Sequence, residues 1–225
     1  MAAQHVGRLI GWGMGCILAP IVLGSLFGPR WVAVGIVLAT LLTLALVMWL
    51  PRSAHAAFAA GRFPRAARRY RILASLAFTG PRERAAILSR AACDLGAGHV
   101  EAADSILGTL DAATLSASER VVWLNNRACA ALDAGRDPQA ALALVDEAIG
   151  MRPDVPAIQH TRARALLAVG RVDDAIAVLD AMRTGGELPT ALEAERCRDL
   201  ATAWDRKGQR AYADDYRNRA RLQVR

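Results

Sequence analysis

Apolar and polar positions divide this chain into two regimes. Leu9–Phe27 and Trp31–Leu50 are apolar runs without a charged side chain, joined by Gly28-Pro29-Arg30. After Pro51, apolar residues recur at helical spacing between polar ones, and no alternating stretch of useful length predicts a strand. Each run holds about 20 residues, which at roughly 1.5 Å of rise per residue crosses a hydrocarbon core of ~30 Å. Backbone amides in lipid have no water to bond, so such runs are helical where they insert. The short link sends the second helix back beside the first. The pattern thus predicts an all-α chain with a two-helix transmembrane hairpin in residues 1–51 (spans about 9–27 and 31–50), followed by a helical domain in 52–225.

Small residues give the first span a face. Gly7, Gly11, Gly15 and Ala19 recur every fourth residue, and Gly35, Ala39 and Thr43 repeat the spacing in the second span. Small side chains let helix backbones approach closely in lipid, where packing drives association. This face packs within the hairpin or against another membrane protein. Trp31 and Trp49 stand at the ends of the second run, where belt residues are expected. Ala54-His55-Ala56 resembles a small-residue cleavage site, but two full-length spans before it argue against a cleaved signal.

Charge then sets the orientation. The formal net charge is +7, and its excess lies in residues 52–90, where nine arginines meet only Glu83. Residues 91–225 carry a net −3. Arginine next to a span marks the cytoplasmic side, so both termini are expected in the cytoplasm of a multi-pass inner-membrane protein. Arg62, Arg65, Arg68 and Arg69 are the expected headgroup contacts, since basic residues near anionic lipid each gain about 1 kcal/mol. No aromatic residues interleave with these arginines as stacking platforms, so nucleic acid is not an expected partner.

The soluble part is repetitive. Gly61, Gly98, Gly135, Gly170 and Gly208 are spaced by 37, 37, 35 and 38 residues. Seven residues before them stand Ala54, Ala91, Ala128, Ala163 and Ala201. Five or six residues after them stand Ala66, Ala103, Ala141, Ala175 and Ala213. Glycine just past a helix end reverses the chain in the left-handed region, and alanine on both sides lets the two helices lie close. Larger residues (Tyr70, Leu107, Val145, Leu179) fill the space to the next pair. About five helical hairpins follow, and they must stack to bury their apolar faces.

The unit Ala163-x6-Gly170-Arg171-Val172-x2-Ala175-x3-Leu179-x2-Met182, and the unit from Leu124 to Pro153 with Asn126 and Ala148, carry a resemblance to the tetratricopeptide repeat (TPR) family. The second has an extra residue between Gly135 and Ala141, which predicts a looser turn. The units at Gly61, Gly98 and Gly208 resemble the family more weakly. The resemblance implies a TPR-like α-solenoid whose first helices line a groove for a protein partner, a peptide or a subunit of a membrane complex. Carried over by position, the groove residues are Asn125, Cys129, His160, Arg164, Arg198 and Thr202, besides Leu88 and Ala92. Their amide and cationic groups suit an extended peptide or its C-terminal carboxylate.

No catalytic, cofactor-binding or metal-ligating constellation is legible. There is no His-Glu-x-x-His and no phosphate-loop motif, and Gly11-x-Gly13-x-Gly15 lies within a span without a preceding strand. His99 and His160 are expected to be solvated, and Cys93, Cys129 and Cys197 to be small helix-packing thiols. The leading expectation is therefore a non-enzymatic, membrane-anchored scaffold. The rivals are a structural subunit working through its glycine face and an accessory of a membrane-associated enzyme pathway. The layout for the last resembles membrane proteins associated with bacterial haem biosynthesis, with a much shorter loop between the spans.

Overall fold

The computed structural model describes Leu18, residues 21–22, 24–26, Gly28, 30–77, 79–184 and 186–223. The expected packing face of Gly7, Gly11, Gly15 and Ala19, and most of the first span, lie outside the described residues. Ten α-helices are described: α1 (Arg30–Ala59), α2 (Phe63–Ser75), α3 (Gly80–Gly96), α4 (Val100–Gly108), α5 (Ala117–Asp133), α6 (Pro138–Met151), α7 (Pro156–Ala168), α8 (Val172–Thr184), α9 (Thr190–Arg206) and α10 (Arg210–Leu222). A 3₁₀ turn, Ala112–Thr114, precedes α5. No strand occurs among the described residues. The chain forms two compact units, Met1–Ile106 and Leu107–Arg225.

Five turns of one kind make the hairpins. Gly61, Gly98, Gly135, Gly170 and Gly208 all have φ between +63° and +82°. At each, the residue after glycine donates its N–H to the carbonyl five residues back, at 2.8–2.9 Å. Glycine donates in turn to the carbonyl three back, so the last carbonyls of each first helix are satisfied. The ten alanines flanking these glycines are buried, none more than 3% exposed. Tyr70, Leu107, Val145 and Leu179 are buried as well.

The expected looseness at Gly135 is absent. The extra residue is absorbed by Asp137, whose Oδ1 accepts from the N–H groups of Gln139 and Ala140 at 3.0 and 3.1 Å and caps α6. Ser116 and Glu119 cap α5 reciprocally.

In the first unit α2 packs on both α1 and α3, around Ala54, Ala57, Ala66, Ala67, Tyr70 and Cys93. Gly96 lets Phe63 lie flat on α3, because a Cβ there would fall 2.8 Å from the ring. The second unit has one continuous core from Val121 to Ala203. Within it α5 pairs with α6, α7 with α8 and α9 with α10, and the first helices α5, α7 and α9 lie side by side.

Helix α1 is 30 residues long and is the one helix among the described residues long and apolar enough to cross a bilayer. Only 6% of its most apolar window is buried. Helix α1 runs on past the end of the apolar run at Leu50, with Pro51 inside it. Proline costs a helix one backbone donor. Here Arg52 Nη1 donates to the Met48 carbonyl at 2.7 Å and Ser53 Oγ to the Leu50 carbonyl at 2.9 Å. The apolar stretch and the first helix of the first repeat are thus one rod. Thr40 and Thr43 satisfy their hydroxyls on carbonyls of their own helix at 2.8 Å. Ahead of α1, Gly28 has φ +97°, and a Cβ on Gly24 would overlap Val32 Cγ2 at 2.3 Å.

Candidate functional site

Two surfaces gather chemistry-bearing residues, one in each unit. In the second unit, the repeat register places Asn125, Cys129 and Asp133 on α5, His160 and Arg164 on α7, and Glu195, Arg198, Asp199 and Thr202 on α9. The parallel row of first helices brings them together. Arg164 Nη2 donates to Asp133 Oδ1 at 2.5 Å. Burial works against the Arg164 charge, but the hydrogen bond and charge of Asp133 prevail and raise its pKa above the ordinary guanidinium value. Cys129 Sγ lies 3.4 Å from Thr161 Oγ1, which itself donates to the Ala157 carbonyl. Burial raises the Cys129 pKa above that of a free thiol.

His160 corrects the expectation of a solvated side chain, being only 6% exposed. Its Nε2 lies 2.8 Å from Asp199 Oδ2 and its Nδ1 3.8 Å from Glu195 Oε2. The Asp199 contact is at ion-pair distance without the alignment of a hydrogen bond. The physical reason for its burial is that α9 lays two carboxylates, four residues apart, over the imidazole. Arg164 and His160 are therefore engaged with acids of the row itself, and do not stand free for a carboxylate ligand. Arg198 and Thr202 are exposed, with Thr202 Oγ1 donating to the Arg198 carbonyl. Asn125 Oδ1 is buried without a donor.

Sequence reasoning missed Asp133, Glu195 and Asp199. Their spacing from the turn glycines would have placed them on the same helix faces, but nothing local pairs them with α7. It also missed Arg196, which is 1% exposed. Arg196 donates Nε and Nη2 to the two oxygens of Glu193 at 2.7 Å each, and Nη1 to the Leu179 carbonyl at 3.1 Å. That fork holds the Glu193 carboxyl below its ordinary pKa.

In the first unit, α1 and α2 enclose a cleft of about 410 Å³ lined by Trp49, Arg52, Ser53, Ala56, Ala57, Arg62, Arg65 and Arg69. Arg69 Nη1 donates to the Ser53 carbonyl at 2.6 Å, and its guanidinium lies 5.3 Å from the Trp49 ring centre. Of the four expected headgroup arginines, three line this cleft. Arg68 is exposed and does not line it, and Arg52 takes the fourth place. On another side of α1, an apolar cavity of about 450 Å³ is edged by His55, Tyr70 and Arg82. There Tyr70 Oη meets His55 Nδ1 at 2.7 Å.

Known proteins bear on the repeats. Residues 131–184 match the tetratricopeptide repeat family model. The match runs from the end of α5 through α8 and includes the unit around Gly170. No curated protein matches the chain. Among solved structures it is similar to the nearly identical TPR-like repeats of a protein from Podosopora anserina assigned as a kinesin light chain, with 20% identity and a TM-score of 0.53. That likeness covers 77% of this chain and 92% of the other. At such identity the likeness is one of fold. Residues 131–184 thus carry the tetratricopeptide signature, and the chain has a TPR-like helical-repeat fold.

Proposed function

We propose that this protein is a membrane-anchored TPR-like scaffold that presents its repeats to a protein partner at the cytoplasmic face of an inner membrane. The observation that carries the reading is the continuity of α1. One helix provides both a bilayer-length apolar stretch left exposed to its surroundings and the first buried alanines of the repeat array. A soluble protein rarely leaves so large an apolar surface uncovered. The arginines that follow favour cytoplasmic termini by the charge asymmetry of membrane proteins.

The partner surface is the row on α5, α7 and α9. Asp133, Glu195 and Asp199 outnumber Arg164 and the exposed Arg198. The row therefore suits a segment that offers N–H donors or basic side chains, rather than a free carboxylate.

Three measurements test this. A reporter fused at the C-terminus must report the cytoplasmic side, and the full chain must resist alkaline extraction from membranes. Crosslinking from native membranes should then capture a partner that Glu195→Lys loses and Arg198→Gln retains. A partner insensitive to Glu195→Lys would move the interface elsewhere.

A further inference from the structure

We propose that the arginine cleft between α1 and α2 binds the phosphate of an anionic phospholipid. This rests on the membrane reading above and gives it a specific lipid site. Four guanidinium groups (Arg52, Arg62, Arg65, Arg69) line one concavity of about 410 Å³, and no carboxylate lines it. None of the four pairs with an acid among the described residues, whereas eight arginines of the second unit do. Like charges gathered in one cleft repel one another, and an anion between them removes that repulsion.

The cleft is also prepared for a ligand. Arg52 and Arg69 are fixed by bonds to the Met48 and Ser53 carbonyls, and Arg69 is further held over Trp49. Each guanidinium has five N–H donors, so these anchors leave donors for phosphate oxygens. Arg62, just ahead of α2, and Arg65, in its first turn, are exposed and can close on the anion.

Position selects a lipid over a free phosphate. Trp49 ends the apolar stretch, the level at which headgroups meet belt residues. Leu41 and Met48, eleven and four residues before Arg52, share its helix face and are about half exposed. An acyl chain can therefore lie along α1 while its phosphate sits among the arginines.

The test uses the full chain in detergent, titrated with phosphatidylglycerol or phosphatidylcholine and read by native mass spectrometry. Phosphatidylglycerol should be retained over phosphatidylcholine, and Arg62→Gln with Arg65→Gln should weaken it roughly 30-fold, the worth of two interfacial arginines. Arg68→Gln removes a like charge from the same helix outside the cleft and should change binding by less than about twofold. Thermal melts of both variants verify that the fold is intact. Equal losses from Arg68→Gln and from either cleft arginine would overturn the site in favour of diffuse attraction. Equal retention of both lipids would overturn it too, as would displacement of the lipid by millimolar inorganic phosphate. Release of the wild-type chain from membranes by alkaline carbonate would instead sink the anchoring reading, which the detergent titration does not measure.

Discussion

Arg164 on α7 donates to Asp133 on α5, so a residue that by position faces a ligand groove instead ties two successive hairpins together. Asp199 on α9 adds its charge to the same guanidinium. Substituting Arg164 by Glu places a third carboxylate between two others. Such a charge-assisted bond contributes about 1.5–3 kcal/mol, so Arg164→Glu should lower the thermal midpoint by a corresponding amount. The paired exchange Arg164→Asp with Asp133→Arg should recover part of the loss. A midpoint unchanged by Arg164→Glu would mean that the pair is absent in solution.

Buried Arg196 and half-buried Glu193 form a pair of a different kind. Removing one partner leaves the other charge in the core, at about 3–5 kcal/mol. Glu193→Ala should therefore destabilise the second unit far more than Glu195→Ala, which trims an exposed residue. Urea denaturation of the two variants decides the matter, and equal midpoints would contradict the burial of Arg196.

Glycines in this chain should respond to alanine with opposite signs. Gly170 has φ +82°, where an L-residue costs about 1–2 kcal/mol, so Gly170→Ala is destabilising. Gly150 lies inside α6 with open space around a new Cβ, and Gly150→Ala should gain roughly 0.5–1 kcal/mol. Melting curves that move in the same direction would be inconsistent with the turn geometry.

Burial pushes the Cys93 thiol up to about 12 and the Cys197 thiol up to about 11, with the charges of Asp94 and Glu193 adding to the effect. A folded pKa above the unfolded value of ~8.5 means that the native state holds the proton longer. The associated stability is complete below about pH 8.5 and is lost as pH rises toward 11–12. Cys93→Ala should flatten the decline in urea midpoint between pH 8 and 10.5. Native protein at pH 8 should also react slowly with iodoacetamide at both sites, and rapid labelling would show the thiols to be accessible.

The repeat was legible in the chain because its determinants are local. A glycine past a helix end and small residues within seven positions act inside one hairpin, so their spacing predicts all five turns and ten buried alanines. The extra residue before Ala141 misled, because its effect depends on Asp137 capping α6 rather than on loop length. His160 misled for a different reason. Its carboxylate neighbours lie 35 and 39 residues ahead, and no local pattern tells which faces of α7 and α9 meet.

From the sequence alone came the bilayer-length apolar stretch, the hairpin count and the alanine–glycine packing code. The tertiary structure alone decided which charges neutralise one another along α5, α7 and α9. It also decided that Arg52 rather than Arg68 joins the cleft beneath Trp49. Helical periodicity assigns a residue to a face, but the partner on that face depends on how one hairpin is rotated against the next, and that rotation is settled only when the side chains pack.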